Sequence, residues 1–119
     1  MDLTYYDKMA LSAFTSLEKQ SLYQTLCAVM IVDGNRDPRE ISIINEVNRI
    51  MGITTADVEA SRRLSEQTMT NCLKNMDTLK KAYVAKFMAQ IIIADGVVTK
   101  KEELFFNYMH QKLDLPIID

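Results

Sequence analysis

The chain has no tryptophan, one histidine, two cysteines, two prolines and three glycines among 119 residues. Each shortage excludes something. Scarce glycine and proline, with no alternation of β-branched residues, leave a many-stranded fold without its turns or its pattern. Cys27 and Cys72 do not form a C-x-x-C pair and have no histidines nearby. They are expected to be reduced, buried thiols rather than a disulfide or a zinc site. The lone His110 has no serine or cysteine constellation around it, and no phosphate-binding loop occurs. General acid–base and nucleophilic catalysis therefore lack a full set of parts, and the chain is not expected to be an enzyme. Glu102 and Glu103 adjoin, but neighbours on a helix diverge by about 100°, so they do not form a carboxylate pair for glycoside chemistry.

Charge of one sign is also missing. Fourteen Lys and Arg stand against 16 Asp and Glu, a net charge of −2. The basic pairs Arg62-Arg63, Lys80-Lys81 and Lys100-Lys101 are scattered, so nucleic acid is not an expected partner. No run approaches the roughly 18 apolar residues of a spanning helix, so no direct membrane insertion is expected. Asp2 and Asp7 stand where a secretory signal would carry positive charge, which makes the cytoplasm the expected compartment.

What is present is helical pattern. Apolar residues make up 48% of the chain and recur at helical spacing, giving an all-α bundle of six or seven helices in a single domain over 1–119. Thr15-Ser16-Leu17-Glu18 has the form of a capping box and opens a long helix with Leu22, Leu26, Val29 and Met30 on one face. From Cys27 to Val32 that helix is apolar all round, which predicts enclosure by other helices on every side. Gly34 ends it, and Asp37-Pro38-Arg39-Glu40 starts the next, which buries Ile43, Ile44, Val47, Ile50 and Met51 and ends at Gly52. Short helices follow from Thr54 or Thr55 toward Leu64 and over about Glu66 to Asn75. Asp77 caps another long helix, carrying Leu79, Val84, Phe87, Met88 and Ile91 to Ile93 and ending at Asp95-Gly96.

The stretch "IVDGNRDPRE" at 31–40 returns as "IADGVVTKKE" at 93–102. Asp33 and Asp95 are 62 positions apart, and so are Glu40 and Glu102. The register continues: Ile43 and Ile44 answer Phe105 and Phe106, Val47 answers Met109, Met51 answers Leu113, and Ile53 answers Leu115. A core pattern and a turn that repeat together point to an internally duplicated helical hairpin. Repeat 1 covers about 15–53 and repeat 2 about 77–115, joined by a polar connector over about 54–76. The two apolar helices are expected to pack together at the centre.

These paired segments, "CAVMIVDGNRDPREISIINEVNRIMGI" and "MAQIIIADGVVTKKEELFFNYMHQKLDL", resemble the tellurite-resistance TerB family. The resemblance spans roughly 15–115. It implies a compact helical fold, a divalent-cation site built from the motif acids Asp33, Glu40, Asp95 and Glu102, and association with stress-response or membrane-linked partners. The second copy fits the pattern best; in the first, Arg36 stands where Val98 stands in the second.

Much of the repeated motif is also explained by helix ends. Gly34 and Gly96 terminate helices, Asp37 and Thr99 cap the next ones, and Glu40 and Glu102 occupy the third helical position, where a capping-box acid belongs. Asp33 and Asp95 are different, because a carboxylate in a last helical turn faces the negative end of the dipole. The amides of the next helix start, a neighbouring Arg or Lys, or a cation would each compensate them. A cation on oxygen ligands alone suits Mg²⁺, Ca²⁺ or Mn²⁺. The turn is not an EF-hand: Pro38 replaces the glycine, Ile44 occupies the bidentate glutamate position, and Val97 and Thr99 break the pattern in the second copy.

Two functions follow. One is a stress-related module holding a divalent cation through the four acids. The other is a metal-free helical adaptor for a protein partner. The adaptor reading expects an apolar groove away from the turns. Eight methionines bear on it, among them Met30, Met51, Met69, Met76, Met88 and Met109, which lie mainly at core positions but suit a groove as well.

Overall fold

Every helix of the computed structural model starts at a residue whose side chain accepts a hydrogen bond from a first-turn amide: Thr4, Thr15, Asp37, Thr54, Ser65, Asp77 and Thr99. The structure describes residues 3–32, 37–94, 96 and 98–115. Over these it is all-α, with seven helices: α1 Tyr5–Ser12, α2 Ser16–Ile31, α3 Pro38–Met51, α4 Thr55–Ser61, α5 Glu66–Lys74, α6 Thr78–Ile93 and α7 Lys100–Lys112. Helix α1 is the one that the apolar pattern does not announce. Thr4 and Asp7 build it, each side chain accepting the other residue's amide.

The 62-residue offset runs through the helix bounds. Helices α2 and α6 are both 16 residues long and start 62 positions apart, and α3 and α7 also start 62 apart. The inner faces of the two long helices correspond position by position. Leu22, Leu26 and Val29 on α2, and their counterparts Val84, Met88 and Ile91 on α6, are all 0% exposed. The two helices pack on each other, as the sequence predicts. At their first turns Lys80 Nζ lies 2.8 Å from Glu18 Oε1, again a pair 62 apart.

Helix α3 packs on α1, α2 and α6, and α7 on α2 and α6. Both end in the same way. Gly52 (φ 67°) and Asp114 (φ 53°) take left-handed conformations at equivalent positions. The next residue's amide then reaches back five residues, Ile53 to the Asn48 carbonyl at 2.9 Å and Leu115 to the His110 carbonyl at 3.0 Å. This is the 6→1 bond of a Schellman motif.

The stretch between the hairpins does more than connect. Helices α4 and α5 pack against α2, where Ser61, Leu73 and Met76 are buried. Helix α1 covers α3 and α6. The result has a radius of gyration of 13.2 Å.

Two expectations need correction. The apolar end of α2 is not enclosed on every side: Ile31 is 47% exposed, and its counterpart Ile93 is 59% exposed. More than half of a folded protein's surface is apolar, so an all-apolar turn permits enclosure without requiring it. Cys27 and Cys72 are free, as expected, but half-buried. Partial burial pushes the Cys72 thiol up from its ordinary range.

Candidate functional site

The motif acids sit at the starts of α3 and α7, and the two starts are built differently. At α7 the hydroxyl of Thr99 accepts the Glu102 amide at 3.1 Å, and Glu102 Oε1 accepts the Thr99 amide at 3.1 Å, a complete capping box. At α3 the cap is Asp37, whose Oδ1 accepts the Arg39 amide at 2.8 Å. The Arg39 guanidinium also grips Asp37, with Nε 3.0 Å from Oδ1 and Nη2 2.9 Å from Oδ2. That guanidinium, with the backbone bond, holds the Asp37 carboxyl below the usual carboxylate range. Proline at the first helical position fits there because no amide is needed.

Glu40 and Glu102 nonetheless share one property. They are 4% and 2% exposed, the two charged residues buried to this degree among the described residues. Capping does not account for it, since of the two only Glu102 belongs to a capping box among the described bonds. Asp7, Glu18 and Asp57 serve in capping boxes of the same form and are only half-buried. Glutamates are almost never fully buried without a compensating partner.

Asp33 and Asp95, the other two predicted ligands, lie outside the described residues, as does Gly34. Gly96 is described and takes the left-handed conformation expected of a helix-ending glycine, with φ 78°. Its amide donates to the Ile93 carbonyl at 3.0 Å. Among the described residues no three His, Cys, Asp or Glu side chains converge as metal ligands. Helices α3 and α7 meet through α2 and α6, on which both pack.

His110 is half-buried on α7, its ring 5.9 Å from that of Phe106, and its carbonyl accepts the Leu115 amide.

Sequence reasoning missed one feature and left a second without a place in the fold. Tyr83 on α6 donates its hydroxyl to Asp7 Oδ1 at 2.5 Å, tying α1 to the central helix. The only sequence signal was the Thr4-x-x-Asp7 box. The second feature is a cleft of about 360 Å³ between α2, α5 and α7, walled by Leu64, Met69, Phe105 and Met109. It lies at the far end of α7 from its capped start, where the adaptor reading expects a groove. Methionines at two of its walls were the available signal.

Among the described residues no helix is long and apolar enough to cross a membrane. The family profile described as "Tellurite resistance protein TerB" matches residues 2–63. A crystal structure of a protein of unknown function from Porphyromonas gingivalis W83 is similar, with a TM-score of 0.74 over 88% of each chain at 23% identity. That likeness is one of fold. No curated protein matches the chain.

Proposed function

The chain belongs to the tellurite-resistance TerB family, and from that premise we propose that it is a stress-response-associated helical module holding a divalent cation through Asp33, Glu40, Asp95 and Glu102. The observation that carries the reading is the burial of Glu40 and Glu102, at 4% and 2% exposure, in equivalent places of the two hairpins. A buried carboxylate calls for counter-charge or donors, and a hard cation supplies the first. The Glu18–Lys80 pair supports it too, because it sets the starts of α2 and α6 side by side before each helix runs to its own Asp-Gly turn. Internal duplication belongs to this proposal: one hairpin, used twice, offers its acids twice. Oxygen ligands select Ca²⁺, Mg²⁺ or Mn²⁺ over zinc, and the module's role is to bind, not to catalyse.

Calorimetric titration with each of the three ions tests this, with thermal unfolding followed in parallel. Wild type gains stability at millimolar metal, and Asp33→Asn with Asp95→Asn loses that gain. No gain in wild type, or an equal gain in the variant, overturns the reading.

The second reading is the metal-free adaptor, placed in the cytoplasm with a protein partner. Ile93 and Val98, each more than half exposed, favour it, lining a shallow apolar hollow with Ala89, Ile92 and Phe106. This surface lies beside the second turn and not, as the sequence reading expects, away from the turns. Ile93→Asp with Val98→Asp would then abolish a stoichiometric complex with a purified partner, while leaving any cation response intact.

A further inference from the structure

The cleft between α2, α5 and α7 has the size of a small-molecule site and lies apart from the capped starts of α3 and α7. Its volume of about 360 Å³ falls within the ~300–1,000 Å³ typical of such clefts. Leu64, Met69, Phe105 and Met109 wall it, and the two methionines are flexible enough to fit an irregular apolar ligand. Thr25, at 0% exposure, donates its hydroxyl to the Ser21 carbonyl of its own helix at 2.8 Å. Its donor is already used within α2.

The polar groups gather at one end. Lys112, Glu66 and Thr70 line both the cleft and an adjoining open trough of about 580 Å³, which Lys74 and Asn71 also line. Lys112 Nζ is placed at that junction, 2.9 Å from the Tyr108 hydroxyl and 3.7 Å from Glu66 Oε1. The Glu66 side chain is 79% exposed, so a pair of this length is easily exchanged for another anion. Lys74 makes no ion pair among the described residues. The mouth therefore carries two cations and one replaceable acid. Among the described residues no arginine lines either space, so none there offers the bidentate fork that favours phosphate.

We propose that this cleft binds a single-chain amphiphile with a carboxylate head, its alkyl chain against Met69, Phe105 and Met109 and its head on Lys112 in place of Glu66. The proposal does not rest on the cation reading, and its test is run in chelator so that the two fail separately.

Decanoate, kept below its micelle concentration, is titrated into the full chain and followed by calorimetry and by methyl NMR. Saturable binding of one equivalent is expected, with shifts at the Met69 and Met109 methyls. Lys112→Met should weaken decanoate about tenfold and leave 1-decanol unchanged. Ala28→Phe, which fills the cleft from α2, should remove both. The proposal is overturned if decanoate does not bind, if shifts fall elsewhere, if decyltrimethylammonium binds as well as decanoate, or if only an apolar helical peptide occupies the cleft. The wild-type NMR map decides the matter even if Ala28→Phe fails to fold.

Discussion

At the scale of single residues, the ends of α3 and α7 offer a controlled comparison. Gly52 and Asp114 hold the same left-handed position, with φ of 67° and 53°. An added Cβ at Gly52 meets nothing within 4 Å, so Gly52→Ala tests backbone strain alone. It should destabilise by about 1 kcal/mol, and Asp114→Gly should stabilise by about 0.5 kcal/mol, both read from urea midpoints at unchanged slope. Equal and opposite chemistry at equivalent sites makes agreement hard to reach by accident. At the start of α7, Thr99→Ala removes one half of the capping box and should lower stability by about 1 kcal/mol in the same measurement. Gly52 was legible in the sequence because glycine after an apolar helix is itself a stop signal. Asp114 was not, since aspartate serves equally as a surface residue, a cap or a turn.

At the scale of elements, α1 is held by side chains that local pattern does not reveal. Tyr83 and Asp7 are 76 positions apart, and only the folded chain brings them together. The bond from Tyr83, followed by those from Thr4, holds the Asp7 carboxyl below its ordinary 3.8. Burial, followed by the same bond to Asp7, pushes the Tyr83 phenol up to about 12 from 10.0. A lowered acid stabilises the fold above its unfolded value, and that stabilisation fades as pH falls through the folded one. A raised phenol is the reverse: its contribution is complete below pH 10.0 and is lost as pH rises toward about 12. Tyr83→Phe should therefore lower the melting temperature across the neutral range. The gap to wild type should close below pH 3.8 and again above about 12. Amide exchange in α1 should quicken in the variant more than in α6. The long helices were legible because their stripes are long and periodic. The packing of α4 and α5 on α2 was not, since Thr54 to Asp77 is polar in composition and its few buried side chains, Ser61, Leu73 and Met76, form no stripe.

At the scale of the whole molecule, the two hairpins share helix starts, inner faces and the left-handed turn that ends each second helix, yet their surroundings differ. Helix α2 is covered by α4 and α5, and α6 by α1. The starts of α3 and α7 differ as well, one gripped by Arg39 and the other closed by Thr99 and Glu102. Glu40 and Glu102 could be named from the sequence as paired acids, because the repeat has no gap. Their burial could not, since burial depends on what packs over a helix start and not on the residue type. On the proposed function, one cation joins both hairpins. The most direct measurement is a Ca²⁺ titration followed by amide NMR over the whole chain. The amides within 32–40, Pro38 aside, and within 94–102 are expected to shift together and saturate at one equivalent, with no such shifts in Glu40→Gln plus Glu102→Gln. Shifts in one turn only, separate saturation of the two turns, or none at millimolar ion would contradict it.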